Sequence, residues 1–293
     1  EIESYKELLK SKNIKCIHFG GGTPSVLNSW QIRKILKVLK DYVPNLKETE
    51  IVFESSPATI QIKQVKTLAE YGKLSLNLGV QTFDQKILKG INRDTNIEKL
   101  REFLSEAQKY NLHTLGIDLI CNLPLSDTET TINDVNVALD MGVNYFSLYP
   151  LRMEAKTVLY NNYDSTLGKM PAVEKQVESF ENAVKLLLSK GFERYSIYHF
   201  NATGRVNHLY SRLQIKGGEW IGLGAGANSY FQNQIFANVN NVREYIEKLE
   251  AGTSCIEAKR RLNETEKIVR EIVYSLRSGK VSKDYYIERY GSQ

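Results

Sequence analysis

Three cysteines are all that the 293 residues hold, and Cys16, Cys121 and Cys255 stand far apart. An odd, sparse set argues against a disulfide framework and for a reducing, cytoplasmic setting, and no two of them share a metal-ligand spacing. No apolar run approaches the length that crosses a bilayer, and the amino terminus, Glu-Ile-Glu-Ser-Tyr-Lys-Glu, does not read as a signal peptide. Blocks of basic charge are missing as well. The net charge is +5, but the lysines are scattered among acids, which excludes the basic stripe of a nucleic-acid binder. What remains is a composition 42% hydrophobic and 25% charged, that of a soluble globular chain with a substantial core, built as one large α/β domain or two ordinary ones.

The densest local signal is Cys16-Ile17-His18-Phe19-Gly20-Gly21-Gly22-Thr23-Pro24-Ser25. A short apolar strand runs into three glycines, a Thr-Pro and a Ser that reads as a helix cap. Glycine loses backbone entropy and packing inside strands and helices, so three in a row past a strand end indicate a flexible turn or a backbone that a ligand approaches closely. A second stretch, Gly222-Leu223-Gly224-Ala225-Gly226, does not match the dinucleotide fingerprint and reads as another turn or as tight strand packing.

Between these stretches strands and helices alternate. Strands are expected over residues 15–19, 50–54, 74–80, 113–121 and 144–151. Helices are expected over 30–42, 62–69, 85–89, 97–110 and 129–141, with sets such as Leu100, Phe103, Leu104 and Ala107 at helical spacing. Such a repeat predicts right-handed βαβ units in a parallel sheet, and hence a barrel or partial barrel with its site at the strand carboxyl ends. Those ends carry the first glycine turn, Glu54, Gln81, Asp118 and the run from Tyr149 to Arg152. Each alone reads as a helix cap or, for Asp118, as a buried hydrogen-bonded carboxylate; five on one rim indicate a site. Farther on, a long helix is expected over 172–190, an aromatic strand over 194–200, and amphipathic helices over 243–250 and 264–277. Tyr149, Tyr195, Tyr198, Phe200, Trp220 and Tyr230 either line a flat pocket or belong to the core. The helix expected over 1–11 has no capping residue ahead of it, so the chain reads as starting partway through a larger fold.

Taken in order, several motifs resemble the radical S-adenosylmethionine (SAM) family typified by oxygen-independent coproporphyrinogen III oxidase and its heme-chaperone relatives. They are His18-Phe19-Gly20-Gly21-Gly22-Thr23-Pro24-Ser25, Glu54-x-x-Pro57, Leu78-Gly79-Val80-Gln81-Thr82-Phe83-Asp84 and Asn92-Arg93. Asp118-Leu119-Ile120-x-x-Leu123-Pro124, Ser147-Leu148-Tyr149-x-Leu151 and Gly222-Leu223-Gly224-Ala225-Gly226-Ala227-x-Ser229-Tyr230 complete the series. The resemblance implies an α/β fold, a partial (β/α)6 TIM-like barrel with a C-terminal α-rich extension. It divides the chain into 1–205 (barrel, without its first strand and cluster loop), 206–261 (a glycine-turn segment closing the barrel) and 262–293 (the start of a small helical domain).

The cofactors that the resemblance implies are a [4Fe-4S] cluster on Cys-x3-Cys-x2-Cys and SAM, in one or two copies. The cluster reductively cleaves SAM to a 5′-deoxyadenosyl radical. Its cysteines are expected upstream of Glu1, so no metal ligand is expected within the chain. Gly21 and Glu54 would lie on the cluster-bound SAM, and Gly22, Thr23, Gln81, Arg93 and Asp118 on a second SAM. Arg152 and Asn228 occupy further SAM-contact positions, with residue types that differ from those of the family's type enzyme. The favoured expectation is a second SAM giving a methyl or methylene group to an aromatic or unsaturated substrate. The alternatives are porphyrin-directed oxidative decarboxylation and non-catalytic heme delivery. The implied partners are a small organic substrate and an electron donor such as flavodoxin or ferredoxin. Heme-chaperone relatives carry His-Asn-x-x-Tyr-Trp shortly before the second glycine turn. Here Tyr210-Ser211-Arg212-Leu213-Gln214-Ile215 stand at that place, and His208, out of register, reads as a surface histidine.

Overall fold

Apolar and polar residues alternate through Leu76-Asn77-Leu78-Gly79 and Leu115-Gly116-Ile117-Asp118-Leu119, and through Glu50-Ile51-Val52-Phe53-Glu54-Ser55 except at the buried Val52. That period puts apolar side chains on one face of a strand and polar ones on the other. The computed structural model describes residues 1–155, 157–161, 172–204 and 208–291, in two units: Ile14–His208, and Glu1–Asn13 with Leu209–Gln293. The barrel boundary expected at 205/206 lies outside the described residues.

In the unit Ile14–His208 the strands are β1 (Cys16–Phe19), β2 (Glu50–Ser55), β3 (Lys73–Gln81), β4 (Thr114–Cys121), β5 (Tyr145–Pro150), β6 (Phe192–Arg194) and β7 (His199–Ala202). They form one sheet in the order β1-β2-β3-β4-β5-β7-β6, with β1 to β5 parallel and β6–β7 an antiparallel hairpin paired to β5. The expected α/β partial barrel is thus present. The single aromatic strand expected over 194–200 is instead the two arms of this hairpin. Its turn is tied by the Arg194 guanidinium, which donates to the Ile197 carbonyl at 2.8 and 3.2 Å, and by Ser196 Oγ, which accepts from the His199 amide at 3.2 Å.

Ile51, Phe53, Leu76, Leu78, Ile117, Leu119, Phe146 and Leu148 are all essentially inaccessible and form the core on the apolar face. Each contributes about 1.5–3 kcal/mol of burial free energy. Amphipathic helices cover that face. Ser29–Tyr42 buries Ile32, Leu36 and Leu39, and its cap is Asn28, whose side chain accepts from the Gln31 amide at 3.0 Å while Gln31 returns the bond at 2.9 Å. Ser25, expected as a cap, has another task described below.

Strand register sets the other face in rows. Glu54, Asn77, Gly116 and Tyr145 lie across from one another, and Gly79, Asp118, Ser147 and His199 form the next row toward the carboxyl ends. Gly116 is a close-approach glycine. A Cβ there would lie 2.6 Å from Tyr145 Cδ1 and closer still to Asn77 Oδ1.

The second unit contains three strands that the sequence pattern did not reveal: β8 (Asn228–Phe231), β9 (Gln234–Asn238) and β10 (Ile256–Arg261), antiparallel in the order β10-β9-β8. Gln232 and Asn233, both at positive φ, make the tight β8–β9 turn. The helices Val242–Glu250, Glu264–Leu276 and Lys283–Tyr290 are capped by Asn241, Asn263 and Ser282. Arg270 stacks on the rings of Trp220, Tyr230 and Tyr274, at 3.4 Å from the Tyr230 centroid. Tyr230 is therefore buried packing of this unit, with Trp220 partly exposed beside it. Among the described residues no helix is long and apolar enough to cross a membrane.

Candidate functional site

The first glycine turn leaves β1 exposed from Gly20 to Gly22, and the chain then dives. Ser25 is 2% exposed; its hydroxyl meets Thr59 Oγ1 at 2.6 Å and accepts from the Ser56 amide at 3.1 Å. Gln64, 3% exposed, donates to the carbonyls of Ser25 (2.8 Å) and Leu27 (2.5 Å). Ser25 therefore stitches the loop after β1 to the loop after β2 and caps no helix. An open turn is anchored on a buried polar seam.

Each glycine of the turn stands in a different environment. At Gly20 an added Cβ would lie 3.0 Å from Nδ1 and Nε2 of His18, and closer to Cε1, because the imidazole lies on the Gly20 backbone. Gly21 has φ of +104°, which L side chains rarely adopt. Gly22 has neither constraint: its φ lies outside that region and a Cβ would meet nothing within 4 Å. Thr23 begins the short 3-10 turn Pro24–Val26 and makes no side-chain cap bond.

Glu54 lies near the end of β2 with its side chain 42% exposed, and His18 Nε2 lies 2.9 Å from its Oε1. A carboxylate only accepts, so Nε2 carries the proton and donates. Gln81 ends β3 at φ +75°, where a register shift between Gly79 and Gln81 displaces it. Its Nε2 lies 2.9 Å from the position of a Gly79 Cβ, so the amide lies over Gly79, which is paired with Asp118. Asp134, 4% exposed, fixes the following loop by accepting from the Phe83 amide at 2.7 Å.

Asp118 lies in mid-rim. Burial pushes its carboxyl up to about 6; the Ser147 hydroxyl bonds it and opposes the rise, and the charge of Glu54 adds to it. Glu54, Gln81 and Asp118 thus stand on adjacent strands beside the glycine turn. Arg93 is exposed in the loop after the helix Gln85–Gly90, and among the described residues no ion pair joins it to them. Arg152 is 86% exposed and pairs with Glu154 at 2.9 Å. Asn228 belongs to the other unit, where it opens β8 and its side chain reaches the Gly226 carbonyl at 3.4 Å.

Two elements of the polar face were missed in the sequence. The first is a chain at the β5–β7 edge. Ser196 Oγ accepts from the amides of His199 (3.2 Å) and Tyr198 (3.4 Å), so its proton goes to His199 Nδ1 at 2.6 Å. His199 therefore carries hydrogen on Nε2 and donates to the Tyr149 hydroxyl at 3.1 Å. Tyr149, Tyr195 and Tyr198 are partly exposed around this chain, whereas Phe200 is fully buried core. The second is His208. Far from a surface histidine, it is 2% exposed, 3.0 Å from Asn77 Nδ2 and stacked on Tyr145 at 4.5 Å. Burial, joined by the charges of His199 and His18, pushes its pKa down to about 3, so it is neutral. The period-two alternation of the strands was the signal for this interior; at 208 no strand pattern exists to carry it.

Residues 1–135 match the model of the radical SAM superfamily. The heme chaperone HemW of Bacillus subtilis (strain 168) is 27% identical over 281 residues, covering 95% of this chain and 74% of its own. The same protein of Lactococcus lactis subsp. lactis (strain IL1403) is 28% identical over 248 residues, 84% of this chain and 65% of its own. Anaerobilin synthase of Escherichia coli O157:H7 is 25% identical over 252 residues, 86% of this chain and 57% of its own. The chain thus spans under two thirds of the last two relatives. The structure of coproporphyrinogen III oxidase (HemN) from Escherichia coli superposes with a TM-score of 0.83 over 99% of this chain and 70% of that one, at 19% identity, a likeness of fold.

Proposed function

For a chain that belongs to the HemN-like radical SAM family, we propose that the carboxyl-end rim of β1 to β4 seats SAM, in the service of a radical SAM reaction or of heme delivery. The observation that carries the reading is Gly22. Its backbone is exposed, its Cβ direction is empty and the fold itself does not require a glycine there, which is what a backbone strip facing a ligand needs. Glu54 and Asp118 supply acceptors for an ammonium group or ribose hydroxyls, and Gly21 and Gly22 supply main-chain groups for a carboxylate. In this reading Thr23, Gln81, Arg93 and Arg152 border the same ligand or a second SAM.

The family implies a [4Fe-4S] cluster as well as SAM, and the cluster supplies the electron for SAM cleavage. The described residues do not fit it. Cys121 and Cys255 are buried, and burial pushes the Cys121 thiol up to about 12. Among the described residues no group of three or more His, Cys, Asp or Glu side chains is arranged to hold a metal. An electron donor of the flavodoxin or ferredoxin kind and a small organic substrate belong to the reading of the whole protein.

Heme delivery is the second reading, favoured by the several relatives named heme chaperone. His208, buried and stacked, is not an open heme ligand in it. Transfer of a methyl group from a second SAM has no support in the relatives' names and stays a minor variant. The test is an anaerobic assay of the reconstituted full-length protein with SAM and reductant, alongside heme titration. 5′-Deoxyadenosine without stoichiometric heme supports the enzyme. Tight stoichiometric heme without 5′-deoxyadenosine overturns the enzyme reading in favour of delivery.

A further inference from the structure

His18 touches both halves of the proposed SAM seat. Its ring lies on the Gly20 backbone, and its Nε2–H is given to Glu54 Oε1 at 2.9 Å. The imidazole is only 18% exposed, whereas Glu54 is 42% exposed and the turn is open to solvent. A carboxylate at a strand end with one donor fixed on Oε1 has its other oxygen directed by that bond. The backbone strip, for its part, keeps its place only while the ring beneath Gly20 keeps its own.

We infer that His18 is a positioning residue, which locks the glycine turn and the Glu54 carboxylate into one rigid seat for the aminocarboxylate end of SAM. This rests on the SAM reading above. It also gives Gly20 a reason different from that of Gly22. Gly20 is glycine because the imidazole occupies its Cβ position, and Gly22 because the ligand does. A methyl group at 20 must push the ring away, and the ring cannot leave without releasing Glu54.

The consequence is a coupling between the two positions, as residues in contact show, that is read in SAM affinity and not only in stability. With the imidazole present, Gly20→Ala displaces it; with His18→Ala in place, the ring atoms that the methyl group would strike first are gone. The test is equilibrium binding of SAM to the reconstituted full-length protein, with the thermal midpoint as a control on folding. Expected are a loss of affinity of about tenfold in each of His18→Ala and Gly20→Ala, which is about 1.4 kcal/mol, and no further loss in the double variant. His18→Gln, whose amide still donates to Glu54, should recover part of the affinity. Wild-type binding that His18→Ala leaves unchanged, or single losses that simply multiply in the double variant, would overturn the inference alone. Absence of SAM binding by the wild-type protein would sink the SAM reading, and this inference with it.

Discussion

The two glycine turns look alike in sequence and differ in what their own fold demands of them. In the second, Gly222 packs against the Asn228 carbonyl and lies 3.0 Å, by its Cβ position, from Ala227 Cβ; Gly224 has φ +108°; Gly226 has φ +70° and would meet Asn240 Oδ1 at 2.6 Å. Every glycine there has an internal cause. In the first turn Gly20 and Gly21 have internal causes and Gly22 has none. The carboxylates beside the turns differ in the same sense. Glu1 accepts from the Gly224 amide at 2.7 Å, from Asn238 Nδ2 at 2.7 Å and from the Tyr245 hydroxyl, so the chain saturates it. Among the described residues Glu54 has the bond from His18, and Asp118, bonded by Ser147, is held near 6. Glycine density therefore does not identify a ligand loop. In the proposed reading, it is a glycine that the surrounding protein does not explain that marks one.

The comparison can be broken most forcefully at Gly222. Gly222→Ala drives a methyl group into the Asn228 main chain and should cost about 1–3 kcal/mol, read as a lowered denaturation midpoint. An unchanged midpoint would remove the contrast between the turns. A smaller effect is expected from Asp118→Asn. The folded carboxyl titrates near 6, above its ordinary 3.8, so the unfolded chain releases the proton first as pH rises. The Asp118 contribution is thus present below about pH 4 and lost as pH climbs through about 6. The Asn variant should flatten that fall by about 1–2 kcal/mol, a value reduced for partial exposure. Asp134, also raised to about 6 by burial, keeps the remaining slope in the variant. Equal slopes in both proteins would contradict the burial argument.

Much of this was legible in the sequence. The five parallel strands and their helices follow from period-two and period-3.6 patterns strong enough to survive tertiary context, and the rim positions of Glu54, Gln81 and Asp118 follow from where those strands end. The β6–β7 hairpin was not legible, because Tyr195 to Tyr198 are as β-prone as their flanks, and the turn is made by side-chain bonds from Arg194 and Ser196. The strands β8 to β10 are short, and β10 is a mostly exposed, charged edge that reads as loop. His208 was misread because nothing local marks a residue buried by partners as distant in sequence as Asn77 and Tyr145. His18 stood inside the glycine motif, yet its bond to Glu54 spans 36 positions and only the β1–β2 pairing brings the two together.

Gly22→Ala gives the smallest expected change in the folded protein and the most direct test of the SAM seat. The added methyl group meets no protein atom within 4 Å, so stability should stay within about 0.5 kcal/mol of wild type. SAM binding, measured by isothermal titration of the reconstituted full-length protein, should weaken by about tenfold or more. Retained stability with lost affinity is the predicted result. Retained affinity in Gly22→Ala, with the wild type binding SAM, would contradict the seat.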